Sequence, residues 1–314
     1  MKLKNSNQSL LQKIGPFIGL IVIVLIFSIL EPGFLSVNNL LNVLRQVSFN
    51  ALIAFGMTFV ILTGGIDLSV GSILALTGAV SAGLIASGID PILAMLAGLL
   101  LGAILGAVNG IIIAKGKVAP FIATLATMTI YRGLTLVYTE GRPISGLGDN
   151  AAFQMLGKGY FLGIPIPVVT MLISFGILYF ILKKTTFGRR VYAVGGNEEA
   201  SILSGINTDR IKIYVYSLTG LLSALAALML TSRLNSAQPT AGEMFELDAI
   251  AAVVLGGTSL TGGRGWIVGT LIGALIIGVL NNGLNIIGVT SFFQQVVKGA
   301  VILLAVLLDR KKTA

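Results

Sequence analysis

Residues 183–212 read KKTTFGRRVYAVGGNEEASILSGINTDRIK, a long charged interval in a chain that is otherwise mostly hydrocarbon. Lys183, Lys184, Arg189 and Arg190 make its first part basic, Arg210 and Lys212 its last, and a short helix signal sits between them. Asn197 is suited to cap a helix whose first turn holds Glu198 and Glu199. Such a cap satisfies free backbone N–H groups and sets acidic charge against the helix dipole. Ala200 to Ser204 continue the helix, Ile202 and Leu203 give it an apolar edge, and Gly205 is placed to end it just past the C-cap. The pattern predicts one short helix between flexible, basic, Gly-containing arms; a plain solvated loop fits the same residues. Apolar runs flank the interval on both sides, so it reads as a polar island between membrane spans, where an intramembrane protein meets a soluble partner.

Composition supports that reading. Of 314 residues, 55% are hydrophobic and 11% charged, and the mean hydropathy is +0.96. A soluble domain carries about a quarter charged residues, so the solvent for this much apolar surface is the lipid bilayer. A net charge of +9 would suggest nucleic acid in a soluble protein. Here the basic residues cluster in a few loops, as the positive-inside bias requires, and no nucleic-acid partner is expected. The chain has no Cys and no His. Disulfides, thiol nucleophiles, His bases and His or Cys metal sites are thereby removed, and no catalytic or metal residue is expected. No G-x-x-x-x-G-K-[ST] occurs, so this chain does not cradle a nucleotide through a P-loop.

Spans need about 17–25 mainly apolar residues. Such intervals fall at 14–30, 44–63, 69–88, 91–114, 119–138, 165–183, 211–231, 246–257, 266–287 and 292–308. The eighth is too short to cross as a regular helix. The expected fold class is therefore an all-α polytopic membrane protein of about ten transmembrane helices, a single domain over 1–314 with a cytoplasmic loop at 184–210. Lys2, Lys4 and Lys13 precede the first interval and no small-x-small cleavage site follows it, so the first span is expected to stay, with its N-terminus in the cytoplasm. An even number of crossings returns the C-terminus to the cytoplasm. Lys115, Lys117, Arg264, Arg310, Lys311 and Lys312 then join the 183–212 cations on the inside. Arg45, Arg132, Arg142, Lys158 and Arg233 lie outside, with Asp149, Glu243, Glu246 and Asp248, while Lys298 falls within the last span.

Glycine is patterned. Gly98, Gly102, Gly106 and Gly110 share one helix face, and Gly265, Gly269 and Gly273 are expected to do the same later. In lipid no hydrophobic effect drives helices together, so small residues that admit close backbone contact take over. The two halves echo each other. Thr63-Gly64-Gly65 leads to Val70-Gly71-Ser72, and Leu255-Gly256-Gly257 leads to Val268-Gly269-Thr270, which suggests a two-fold internal repeat of the kind transporters use. Asp67 and Ser69 either cap the third span or line a gate, and the longer break around Arg264 is either a turn or a cytoplasmic gate. Asn109, Asn281 and Asn282 are polar positions on spans. They read as pathway candidates or as interhelical hydrogen bonds. No ladder of ionisable residues crosses the midplane, which disfavours an ion-coupled carrier.

GRRVYAVGGNEEASILSGI, TGGIDLSVGS and AVVLGGTSLTGGRGWIVGTLIGALI together resemble the monosaccharide-type (ribose-type) branch of ABC importer permeases, in order and over essentially the whole chain. The resemblance implies the membrane-spanning, non-catalytic subunit of an importer, as a homodimer, moving a monosaccharide such as ribose into the cytoplasm of a prokaryote by alternating access. It implies an extracytoplasmic sugar-binding protein that delivers the sugar, and a cytoplasmic ABC ATPase subunit that holds the ATP and Mg. It further implies that Gly188, Arg189, Arg190, Asn197, Glu198, Glu199, Ala200 and Gly205 form the element that docks on that ATPase. The alternatives are a stand-alone secondary carrier, or an ABC permease for nucleosides or branched-chain amino acids.

Overall fold

The structure, a computed structural model, describes residues 2–148 and 150–310; Asp149, Lys311 and Lys312 lie outside the described residues. It is helical almost throughout. The first half holds α1 (Lys2–Leu30), α2 (Val37–Leu62), α3 (Val70–Ala86), α4 (Pro91–Ala114) and α5 (Pro120–Thr139). After α6 (Ala151–Lys158) come α7 (Ile166–Lys184), α8 (Thr186–Gly196), α9 (Glu198–Leu203) and α10 (Thr208–Leu234). The chain ends with α11 (Phe245–Leu255), α12 (Ile267–Ile286) and α13 (Ser291–Arg310). Each apolar interval expected as a span overlaps one of these helices. Six of them, α2, α4, α5, α7, α10 and α12, are long and apolar enough to cross a membrane, while α3 and the 14–30 part of α1 are shorter apolar helices.

The helix at the centre is α2. Every residue from Ala51 to Leu62 is buried, as expected of a helix that is apolar all round. It packs against α7, α10, α11 and α12. The outer helices reverse the soluble pattern. Ile29, Leu100, Ile130 and Phe180 point away from the protein and are exposed, which is stable only where the surroundings are hydrocarbon. Local signals start several helices. Asp90 Oδ1 accepts the N–H groups of Ile92 (2.9 Å) and Leu93 (3.2 Å) ahead of α4, whose first residue is Pro91, and α5 likewise opens on Pro120.

The glycine stripe on α4 does what close packing requires. A side chain at Gly102 would strike Ala224 and the Gly220 backbone, one at Gly106 the Tyr216 backbone, and one at Gly110 the Ile213 backbone. All four neighbours lie on α10. Gly98 instead faces Ser81 of α3. The second stripe is shorter than expected. Gly265 lies outside α12; of the three only Gly269 and Gly273 are on that helix, against Gly256, just past the end of α11, and Ala252 within it.

The connections gather at two ends. At one, Lys117 pairs with Asp209 (3.2 Å), and Gly263 N–H donates to Leu62 O (3.0 Å). At the other, β1 (Ile144–Ser145) pairs antiparallel with β4 (Ser236–Ala237), and Asn39 and Asn282 exchange amide hydrogen bonds at 3.0 Å in both directions. The segment between α5 and α7 is ordered. It contains β1, α6 and a hairpin of β2 (Tyr160–Phe161) with β3 (Ile164–Pro165). There α6 is fixed by Ser232, whose hydroxyl donates to Phe153 O and accepts from Gly157 N–H.

Candidate coupling surface and gate

Between α7 and α10 the chain forms two helices rather than one. The expected element is α9: Asn197 Oδ1 accepts Ala200 N–H at 2.8 Å, Glu198 and Glu199 occupy the first turn, and Gly205 follows with φ +79°. The arm before it is not flexible. It is α8, started by Thr185, whose hydroxyl oxygen accepts from Gly188 N–H (3.3 Å). Val191 and Val194 are buried beneath it. Tyr192 donates to Gly265 O at 2.8 Å, and burial pushes its phenol pKa up, so it stays a neutral donor.

The far end of α8 sits on both broken segments at once. A side chain at Gly195 would be driven into the Leu62 carbonyl and would lie 2.7 Å from Gly263 N. Gly262, at φ +84°, approaches Gly195 O and the Gly64 backbone. The Thr63-Gly64-Gly65 break, the Gly262-Gly263 turn and the Gly195-Gly196 pair therefore meet backbone to backbone. No larger residue fits at Gly195, Gly262 or Gly263, whereas a side chain at Gly196 would meet nothing within 4 Å. Beside this junction is a cavity of about 460 Å³ whose polar lining includes Lys183, Arg189, Tyr192, Arg264 and Trp266. Arg264 thus belongs with α8 at this end. On the outer side of the element Arg189, Arg190, Glu199 and Ala200 are exposed, as are the apolar Ile202 (54%) and Leu203 (89%). Glu198 is held inward by Lys212, whose Nζ lies 2.6 and 2.8 Å from its two oxygens.

Deeper in, Asp67, Ser69 and Asn109 form one buried network. Asp67 Oδ1 accepts both Ser69 N–H (2.9 Å) and Ser69 O–H (2.6 Å), and Asn109 Nδ2 donates to Ser69 Oγ (2.7 Å). Tyr131 O–H lies 3.3 Å from Asn109 Oδ1, which brings in α5. This corrects the capping role for Ser69: it precedes α3 but its side chain makes no cap bond, being taken up by Asp67 and Asn109. Asp67 Oδ2 and the Tyr216 hydroxyl are buried without a hydrogen-bond partner among the described residues. We expect Asn109→Leu to cost about 1–3 kcal/mol, the usual penalty for a buried polar bond left unmade. Asn109→Asp, which adds a second carboxylate beside Asp67, should cost more; thermal unfolding in detergent checks both.

The remaining polar candidates lie elsewhere. Asn282 is used in the pair with Asn39 and is not grouped with Asp67. Asn281 sits beside Asp248. Asp248 was expected in an exterior segment, but it is buried inside α11 (4% exposed) and pairs with Lys298 of α13 at 3.1 Å. Two functional-looking groups thus escaped sequence reasoning: α8, and an ion pair whose partners are far apart along the chain.

The family model described as branched-chain amino acid transport system / permease component matches residues 39–306. The ribose import permease protein of Bacillus subtilis is 70% identical over 304 residues, covering 97% of this chain and 94% of its own length. The ribose import permease protein of Escherichia coli K12 is 58% identical over 297 residues, covering 94% and 92%. The D-allose transport system permease protein of the same organism is 44% identical over 300 residues, covering 95% and 91%. No solved structure matches.

Proposed function

The chain belongs to the family of branched-chain amino acid transport system permease components, and from that membership we propose that it is the membrane subunit of an ATP-driven importer carrying ribose into the cytoplasm of a prokaryote. Relatives 58–70% identical over nearly the full chain bear the name of ribose permeases, which favours a pentose over an amino acid or a nucleoside. The subunit crosses the plasma membrane about ten times, with both termini inside. The alternation of connections between the two ends and the basic residues around α8 support this topology. It pairs with a second copy of itself, receives sugar from an extracytoplasmic binding protein, and is driven by a separate ATPase.

One observation carries the mechanism: α8 is seated on both broken segments while α9 projects Ile202 and Leu203 outward. An ATPase that grips α9 would move α8, and α8 cannot move without shifting the Gly64 and Gly263 turns. In this reading Gly188, Arg189, Arg190, Asn197, Glu198, Glu199, Ala200 and Gly205 transmit the stroke. Arg264, Asp67, Ser69 and Asn109 belong to the gate that receives it.

Reconstitution tests the function directly. Proteoliposomes holding this chain, the ATPase and the sugar-binding protein should accumulate ribose only with all three and ATP. Accumulation by this chain alone on an ion gradient would instead mark a secondary carrier. Within that system, Ala200→Pro removes the N–H that Asn197 holds, and Glu198→Lys sets like charge against Lys212. Both should abolish most uptake while leaving the thermal unfolding of the spans near wild type. Normal transport by both variants would remove the coupling assignment.

A further inference from the structure

A second cavity, of about 630 Å³, lies away from the coupling surface, between α5 and the turn that leads from α10 into α11. Its polar lining comes from four elements: Ser72 of α3, Thr129 and Arg132 of α5, Glu243 and Glu246 at the start of α11, and Gln295 of α13. The volume is in the range that holds a small ligand, about 300–1,000 Å³.

The cavity is built rather than accidental. Arg132 Nη1 donates to Pro239 O (2.6 Å) and Ala241 O (3.0 Å), which pins the α10–α11 connection against α5. That connection then dips to α3. Gly242, at φ +75°, and Gly71 meet backbone to backbone, and a side chain at Gly71 would also lie 2.9 Å from Glu246 Oε2. The first turns of α3 and α11 therefore abut at the cavity. Paired ends of broken helices are where transporters place small solutes. The floor leads to the gate. Ser72 O–H donates to Ser69 O at 2.8 Å, and Ser69 is bonded to Asp67 and Asn109.

The chemistry selects the ligand. Glu243 and Glu246 outnumber the one cation, Arg132, whose Nη1 is already engaged by two carbonyls. An anionic solute meets net repulsion there. Carboxylates and an amide suit the adjacent hydroxyls of an uncharged polyol, while Met128 and Met244 offer apolar wall to its C–H face. We propose that this cavity is a low-affinity station for a neutral monosaccharide crossing the chain, held by Glu243, Glu246, Arg132 and Gln295. The proposal deepens the sugar-importer reading and rests on it.

The absence of Cys from the sequence makes the test clean. Gly133 lines the cavity and has no atom within 4 Å of a side chain placed there, so Gly133→Cys introduces a single tolerated thiol. The full chain, assembled with its ATPase in proteoliposomes, is labelled with a small maleimide. Excess D-ribose should slow labelling several-fold, ribose 5-phosphate should not, and adding Glu243→Gln or Glu246→Gln should remove the protection. A control thiol from Ser87→Cys, exposed in the turn after α3 and away from the ATPase-facing surface, should be indifferent to ribose. Should ribose leave Gly133→Cys unprotected while that variant still imports it, the station is wrong and the importer reading stands. Equal protection by the phosphorylated sugar also overturns the station. If the complete wild-type system imports no ribose at all, it is the importer reading that fails.

Discussion

Replacing Gly195 by Ala should cost the transporter most of its coupled uptake, whereas the same change one residue later should be harmless. The two glycines end the same helix, and an Ala in a helix is by itself favourable by about 1 kcal/mol over Gly. Their surroundings decide the outcome. A methyl at Gly196 meets nothing within 4 Å. A methyl at Gly195 is forced into the Leu62 carbonyl, the acceptor of the Gly263 N–H bond that ties the two broken segments together. Both neighbours are backbone, so relief requires α8 to lift off the junction. Overpacking of this kind costs about 1–3 kcal/mol. The lower part of that range is already enough for about a tenfold loss of the coupled state, since about 1.4 kcal/mol is a factor of ten. ATPase turnover should persist and lose its dependence on sugar-loaded binding protein. Side-by-side uptake and ATPase rates check this. Wild-type coupling in Gly195→Ala would mean the junction transmits nothing.

Hydropathy made the membrane helices legible because each apolar interval has to satisfy its backbone within itself, and only a helix does so in lipid. The interval 91–114 coincides with α4, whose ends carry their own signals, Asp90-Pro91 before it and Lys115-Gly116 after. The α9 cap was legible for the same local reason. By contrast, α8 was not. Its sequence, Thr186-Phe-Gly-Arg-Arg-Val-Tyr-Ala-Val-Gly-Gly196, is rich in Gly and β-branched residues of poor helix propensity. What supports it is tertiary: buried Val191 and Val194, and Tyr192 on Gly265 O. The Asp67–Ser69–Asn109 network was half legible. Asp67, Ser69 and Asn109 stood out as polar residues among apolar ones, and the fold joins them. Asn282 stood out equally and turned out to serve an interhelical pair. Nothing local separates the two cases, because the difference lies in which distant helix each one faces. The Arg132, Glu243, Glu246 cavity was hidden by the same limit. Its residues had been read only as exterior charges.

Lys298→Ala should be the most destabilising single change outside the junction. Asp248 is 4% exposed in α11, and its Oδ2 is shared by Lys298 Nζ at 3.1 Å from α13 and Asn50 Nδ2 at 3.5 Å from α2. Asn281 of α12 lies beside the same carboxylate, so Asp248 stands where four helices meet. Treating the chain's charges as loop markers set Asp248 outside the membrane, yet an acid inside a helical bundle is stable once a cation neutralises it. Removing only the cation leaves a buried, uncompensated charge, which costs about 3–5 kcal/mol. Removing both charges is another matter. Asp248→Asn with Lys298→Met keeps the volume and an acceptor for the Asn50 amide, and buried pairs replaced in this way are often neutral or better. The double variant should therefore unfold close to wild type, while Lys298→Ala and Lys298→Met alone unfold at clearly lower temperature. A thermal-unfolding double-mutant cycle in detergent reads the coupling, and strictly additive losses would show that the two side chains do not depend on each other. Uptake by the double variant also separates two roles. If it transports ribose, the pair is an architectural tie that holds α13 to the bundle. The carrier reading, in which a titrating intramembrane pair moves ions, requires that transport be lost when both charges are gone.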